Sequence, residues 1–221
     1  MNSWIGKLVA SIAVFGLSGA SGWAENDEAY PLMPRAEEIA LARSAGLAPW
    51  NEEASVYVLE EEGYKKAVEG SNGFTCVVGR DYPGTRWPIC FDAVGTETLL
   101  PRVLREGEMR RQGATKDEVH RDTSERFLSG EYRAPSRTGI AYMLSPQAIT
   151  SNGKTLLSTP PHLMIYAPNI DPQSLGAVAR HPHSPIVLYP GDPHAYIVVF
   201  VRDELPAIEP LGEVPPSPTV K

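Results

Sequence analysis

Four of the five histidines lie in the last third of the chain, and their spacing points to metal chemistry. His181 and His183 flank Pro182. A residue before proline favours an extended backbone, and side chains two residues apart on such a backbone point the same way. Two imidazoles can then bind one metal, with His194 as a third ligand and His162 facing the same cavity. Three histidines and an open coordination position are typical of catalytic zinc, which turns bound water into a nucleophile.

The same histidines have two other interpretations. Histidines in a proline-rich loop can simply be exposed, and a histidine can also serve a site that holds no metal. The H-x-H spacing does not separate these alternatives. A divalent metal such as zinc is therefore one hypothesis among three.

A second cluster of chemistry-bearing residues lies between Cys76 and Cys90. Arginine, tyrosine and tryptophan are enriched at binding hot spots, and an arginine fork can hold a carboxylate or a phosphate through two hydrogen bonds. The loop therefore predicts a ligand-binding surface. Alternatively, Asp81 pairs with an arginine and Trp87 covers the edge of the core. The candidate ligand-binding residues are Arg80, Tyr82, Arg86 and Trp87.

Residues 1–24 predict a secretory signal peptide. Lys7 precedes an apolar run, Leu8 to Leu17, and Gly22-Trp23-Ala24 places small residues at the −3 and −1 positions. The run is shorter than the about 20 residues of a membrane-spanning helix, and no later run reaches that length. We expect a chain exported to the bacterial periplasm or the exterior, without a membrane span after cleavage.

Export changes the interpretation of the two cysteines. In an oxidising compartment, Cys76 and Cys90 predict one disulfide, while two free buried thiols are the alternative. The net charge of −7, with basic residues scattered along the chain, argues against a nucleic-acid partner. The remaining partners are a small molecule or a component of the cell envelope.

The elements that must position these residues fall into separate blocks. The order of strands, then helices, then strands predicts an α+β fold: an antiparallel sheet with a helix pair inserted between the two strand blocks. One domain would span residues 25–202, followed by a proline-rich, extended tail at 203–221. The predicted helices are 34–46, 97–112 and 115–130, and the predicted strands are 54–59, 64–69, 74–79, 89–91, 139–144, 162–167, 185–189 and 195–201.

Two local signals refine this prediction. Asn72-Gly73 predicts a hairpin between strands 64–69 and 74–79. Thr115-x-x-Glu118 predicts a capping box. Charged residues four apart predict a solvated helix face that has no functional role. These pairs are Arg102–Glu106, Glu106–Arg110, Asp117–Arg121 and Asp122–Arg126.

Two stretches, SNGFTC at 71–76 and PHLMIYAPN at 161–169, resemble a family of exported bacterial proteins that has no assigned activity. The helix pair and the Tyr142-Met-Leu-Ser stretch fit the same resemblance, which covers about residues 35–202. It implies a location in the bacterial envelope and singles out His162 for testing, but it implies no catalytic residue.

Three function classes remain. The leading hypothesis is an exported protein that binds a small ligand, with a histidine-lined metal site and a rim of arginine and tryptophan. The second is an envelope hydrolase that uses a histidine base or zinc-bound water. The third is a structural or interaction protein of the envelope.

Overall fold

The computed structural model describes residues 30–178, 181 and 184–201. The predicted signal peptide, His183 and the tail at 203–221 lie outside the described residues. The helices are α1 (Arg35–Arg43), α2 (Ala93–Thr98), α3 (Leu100–Arg111) and α4 (Lys116–Ser129), with a 3-10 helix at Pro172–Leu175. The strands are β1 (Ser55–Glu60), β2 (Gly63–Val68), β3 (Thr75–Gly79), β4 (Trp87–Phe91), β5 (Ile140–Met143), β6 (Ile149–Ser151), β7 (Leu156–Ser158), β8 (His162–Tyr166), β9 (Ile186–Leu188) and β10 (Tyr196–Phe200).

The main sheet has eight strands in the order β2-β1-β3-β4-β5-β8-β10-β9, and β6 pairs with β7 in a separate hairpin. Its pairs are antiparallel except β1 with β3, which is parallel. α2, α3 and α4 lie between β4 and β5 in the chain. The α+β prediction, with helices inserted between two strand blocks, is confirmed, and the sheet is mixed.

The predicted hairpin through Asn72-Gly73 is wrong. β2 turns back on β1, with Glu60 opposite Gly63, and β3 lies along the other edge of β1. The local turn signal is nevertheless present, because Asn72 Oδ1 accepts the N–H of Phe74 at 2.9 Å and Gly73 has a φ of 80°. β3 is buried along its whole length, so it takes a central position, while β2 carries exposed lysines and forms the edge.

The inserted block contains three helices where the sequence predicted two, and capping side chains define its ends. Asp92 begins α2 by accepting the N–H of Gly95 at 2.9 Å. The predicted helix at 97–112 is divided at Leu99 into α2 and α3. The predicted capping box is confirmed, with Thr115 and Glu118 each accepting the other's backbone N–H. α4 then ends at Gly130, which adopts the left-handed conformation that favours glycine.

The two faces of the sheet carry separate cores. On the face that we call the α1 face, α1 packs on β1, β3 and β4, and it buries Val56, Cys76 and Val78 completely. On the opposite face, Phe91 packs with residues of α2 and α3, including Val103. Among the residues that the structure describes, no helix has both the length and the apolar character needed to cross a bilayer.

Candidate functional site

The disulfide at the base of the candidate loop is confirmed. Cys76 and Cys90 lie directly opposite each other on β3 and β4, with their Cα atoms 4.0 Å apart. Both residues are buried beneath α1. The bond therefore holds together the two strands from which the loop at 80–86 projects.

Arg80 turns into the interior rather than towards a ligand at the surface. It follows Val78 by two residues, so its side chain continues on the buried α1 face. Arg80 Nη1 donates to Glu38 Oε1 at 2.9 Å and to the carbonyl of Val78 at 3.0 Å. Both Arg80 and Glu38 are buried. Arg80 therefore does not lie on the predicted rim.

The rest of the loop is organised around Asp81. Its Oδ1 accepts hydrogen bonds from the indole N–H of Trp87 at 3.1 Å and from the hydroxyl of Thr85 at 2.8 Å. Trp87 packs against the core on the face of the sheet that α2 and α3 cover. This geometry fits the alternative interpretation of Trp87, in which it covers the edge of the core. Asp81 bonds to Trp87 and not to an arginine as that alternative expected. Arg86 is exposed, and its backbone pairs with Ile149 of β6.

The loop also meets a charged stripe on α3. Arg102, Glu106 and Arg110 are spaced four residues apart, so they share one side of the helix. This stripe is buried, with relative exposures of 5%, 8% and 7%, and the predicted solvated face is therefore wrong at these positions. Arg102 and Glu106 form an ion pair at 2.8 Å. On the next helix, the predicted pair of Asp122 with Arg126 is confirmed at 2.8 Å.

Two tyrosines cover the arginines of the stripe. The guanidinium of Arg102 lies 5.2 Å from the ring centre of Tyr189, and that of Arg110 lies 5.1 Å from the ring centre of Tyr82. Both distances are within the range of cation–π attraction. We call these five residues, the three on α3 with Tyr82 and Tyr189, the arginine–tyrosine cluster.

Tyr30 lies beside the Arg110 end of this cluster. Burial raises the pKa of the Tyr30 phenol to about 12; Arg110 opposes this shift, while Asp81 and Glu106 add to it. The phenol therefore keeps its proton at neutral pH and can donate a hydrogen bond.

Arg110 differs from the other two buried arginines. Arg80 pairs with Glu38 and Arg102 pairs with Glu106. For Arg110, no carboxylate of the described residues lies within 4.0 Å. Arg110 Nη1 donates to the carbonyl of Ala114 at 3.2 Å. Its buried Nε has no hydrogen-bond partner among the described residues, a feature that it shares with Arg102, so the missing carboxylate is what sets Arg110 apart. A buried guanidinium without a carboxylate partner can accept an external anion.

His194 belongs to the other end of the cluster. Its ring lies 4.6 Å from that of Tyr189 and stacks on Phe127 at 5.5 Å. Burial, reinforced by the positive charge of Arg102, lowers the pKa of His194 to about 3. The imidazole is therefore neutral at physiological pH.

His162 lies elsewhere, at the start of β8. Its Nδ1 is 2.8 Å from the carbonyl oxygen of Pro160. Because a carbonyl only accepts, Nδ1 carries the proton and Nε2 keeps its lone pair. Burial lowers the pKa of His162, which favours the neutral form.

The structure separates the histidines of the predicted metal site. β8 and β10 are antiparallel, with His162 opposite Phe200 and Tyr166 opposite Tyr196, while His194 precedes β10. His162 and His194 are therefore at opposite ends of these strands, more than about 13 Å apart at 3.3 Å per residue. One zinc ion holds its histidine nitrogens at about 2 Å, so these two cannot share it.

The structure does not test the part of the predicted site that His181 and His183 would form together. His181 is exposed, and His183 lies outside the described residues. Within residues 30–178, 181 and 184–201, no group of three or more His, Cys, Asp or Glu residues can hold a metal ion. The prediction that His162 and His194 face one cavity is wrong. The spacing of histidines in the sequence does not show that their strands are antiparallel, and this arrangement separates the two residues.

Two surface grooves are lined mainly by other residues. The larger, about 480 Å³, runs between α3 and α4, and its residues Arg105 and Asp122 already bond to each other. The smaller, about 280 Å³, lies between the start of α3 and residues 130–133. Neither groove contains a predicted site residue.

Sequence reasoning missed Arg102, Glu106 and Arg110 as interior residues. The available signal was their position beside the apolar residues Leu99 and Val103 on the same helical turns. No protein-family model, curated protein or solved structure matches the chain.

Proposed function

We propose that the chain is an exported bacterial protein that binds a small oxyanion, a carboxylate in the first instance, at the Arg110 end of the arginine–tyrosine cluster. The observation that carries the proposal is the buried guanidinium of Arg110, which lacks a carboxylate among the described residues. Burying a charge is costly unless it is paired and hydrogen-bonded. A bound carboxylate supplies the missing partner through charge-assisted hydrogen bonds.

The neighbours of Arg110 suit an anion with an apolar body. Tyr82 presents its ring to the guanidinium, and the protonated Tyr30 phenol adds a neutral hydrogen-bond donor. The tied loop contributes Tyr82 through strands that the disulfide already holds together, which reduces the entropy lost on binding.

Ligand entry requires a local opening, because Arg110 is buried. The hairpin of β6 and β7 is the element best placed to move. Outside its own pair, its strands join the rest of the described fold by a single bridge, Arg86 to Ile149. At its tip, a Cβ added to Gly153 would lie 3.7 Å from the Tyr82 hydroxyl. Displacement of this hairpin would expose more of Tyr82, whose ring covers the guanidinium of Arg110.

The test is a binding titration of the mature chain with its disulfide formed, using acetate, succinate, citrate and inorganic phosphate as probes. Binding to the folded state alone raises the melting temperature as ligand concentration exceeds the Kd. We expect Arg110→Met to abolish that shift while preserving the fold, because it removes a buried charge that has no carboxylate partner among the described residues, so no buried carboxylate loses its ion pair. The exposed Arg121 provides the matched control, Arg121→Met, which should keep the wild-type shift.

Two results would overturn the proposal: no probe binds, or binding survives Arg110→Met unchanged. A pH series adds a further check. Burial keeps the Tyr30 phenol protonated between pH 6 and 9, and acetate stays fully ionised there, so the affinity for acetate should be constant over this range. A step in affinity near pH 6.5 would instead implicate a histidine in the site.

A further inference from the structure

One half of the α1 face has no helix above it among the described residues. α1 covers β1, β3 and β4, but the same face continues across β5, β8, β10 and β9. The register places the residues of this half directly opposite one another on neighbouring strands. We call it the open half-face, and its residues are Ile140, Leu163, Ile165, Val187, Ile197 and Val199.

The open half-face is apolar and incompletely buried. Val56, Cys76 and Val78 are fully buried beneath α1, whereas the residues of the open half-face are half-buried and Val199 is 42% exposed. A contiguous apolar surface that the described residues leave only half-buried favours an interaction site.

The C-terminal residues of this chain have a pattern that fits such a surface. Leu205, Ile208, Leu211 and Val214 recur at every third position, among prolines at 206, 210, 215 and 216. A polyproline II helix has three residues per turn, so it would place these four side chains on one side. The acidic residues at 203, 204, 209 and 213 fall on the other two sides.

The position and length of this segment also fit. The described chain ends at Val201, directly after β10, where the Val201 N–H donates to the carbonyl of Pro161 beside β8. At 3.1 Å per residue, residues 205–214 would extend about 28 Å. The strands from β5 to β9 span about 14 Å at 4.8 Å per strand spacing. The segment is therefore long enough to cross the open half-face.

We propose that residues 205–214 bind back over the open half-face as a polyproline II strap, with Leu205, Ile208, Leu211 and Val214 against the sheet. The prolines lack N–H donors, so the strap would cover the face by side-chain packing and not as a ninth strand. This inference is independent of the proposed anion site, which lies on other elements.

The direct test places the photo-crosslinker p-benzoylphenylalanine at position 208 of the full chain and maps the product by mass spectrometry. We expect a cross-link within one chain, to peptides that contain Ile165 or Ile197. A cross-link that forms only between chains would identify a second copy as the occupant and overturn the proposal. The absence of any cross-link to the open half-face would also overturn it.

A variant pair gives an independent measurement. Replacing Ile208 and Leu211 by Ser should increase the fluorescence of the apolar dye ANS severalfold and lower the melting temperature, because the strap loses its packing. The matched control, Glu209→Gln with Glu213→Gln, changes only the outer sides and should behave as wild type. Circular dichroism identifies any variant that has lost the fold. In that case the dye measurement is repeated on a chain from which residues 203–221 have been deleted. Equal dye binding by the wild type, the variants and the deletion would contradict the strap.

Discussion

At the scale of single residues, burial decides the protonation of the histidines. The ring of His194 packs against those of Phe127 and Tyr189. Its pKa is lowered to about 3, whereas a histidine in the unfolded chain titrates near 6.5. A neutral imidazole packs against aromatic rings without the desolvation cost of a charge. We therefore interpret His194 as a packing residue at neutral pH.

The lowered pKa of His194 makes the protein sensitive to acid. Between about pH 6.5 and pH 3 the unfolded state binds a proton at this position that the folded state does not. This contribution to the free energy of unfolding is fully present above pH 6.5 and decreases as the pH falls towards 3. We expect His194→Phe to lose less stability than wild type between pH 7 and pH 4.5, measured by urea unfolding.

Proton NMR of the His194 ring tests the same premise directly. A His194 resonance that titrates above pH 6 in the folded protein would refute this interpretation.

At the scale of elements, a buried ion pair attaches α1 to the sheet. Glu38 of α1 accepts from Arg80 Nη1 at 2.9 Å and from the backbone N–H of Leu59 in β1 at 3.2 Å. Arg80 also donates to the carbonyl of Val78 at the end of β3. One carboxylate thus joins the helix to two neighbouring strands.

Removing one member of this pair should destabilise the protein more than removing both. Glu38→Leu leaves the charge of Arg80 buried and unpaired, which typically costs about 3–5 kcal/mol of unfolding free energy. The double variant Glu38→Leu with Arg80→Met removes both charges and should recover much of that loss. Urea unfolding of the wild type, two single variants and the double variant measures the coupling. Additive losses in the double variant would contradict a coupled pair.

The elements that were predicted correctly depend on local patterns. Strands 54–59, 139–144, 162–167 and 195–201 follow from runs of β-branched and aromatic residues, and α4 follows from its capping box. The hairpin error has a different origin. Asn72-Gly73 does form a turn, but the strand that β3 joins depends on burial across the whole sheet.

The candidate site could be predicted only in part for the same reason. Tyr82 was recognised from the composition of its loop. Arg110 was not, because charges spaced four apart look the same on a solvated and on a buried side of a helix. What distinguishes them here is the packing of Tyr82 and Tyr189, which are far from α3 in the chain. The histidine distances likewise depend on strand direction, which spacing alone does not contain.

At the scale of the whole molecule, the disulfide lies on the two strands that contribute to both cores, and it also bears on the compartment in which the protein folds. Cys76 and Cys90 join β3 to β4 in the middle of the sheet, beneath α1. The same two strands carry Val77 and Phe91 on the opposite face, and they begin and end the loop that supplies Tyr82. A disulfide at this position fits a protein that folds in an oxidising compartment.

Reduction should weaken the molecule without abolishing the fold. A loop of about 15 residues predicts a loss of about 3 kcal/mol from the greater entropy of the reduced unfolded chain. At about 2–4 °C per kcal/mol for a chain of this size, the melting temperature should fall by roughly 6–12 °C. The backbone pairing of β3 with β4 and the two cores remain, so circular dichroism at low temperature should be unchanged.

The measurement compares thermal unfolding of the wild type with and without reductant, using Cys76→Ala with Cys90→Ala as the variant that reductant should not affect. Equal melting temperatures for the oxidised and fully reduced wild type would mean that the bond adds nothing to the strand pairing already present.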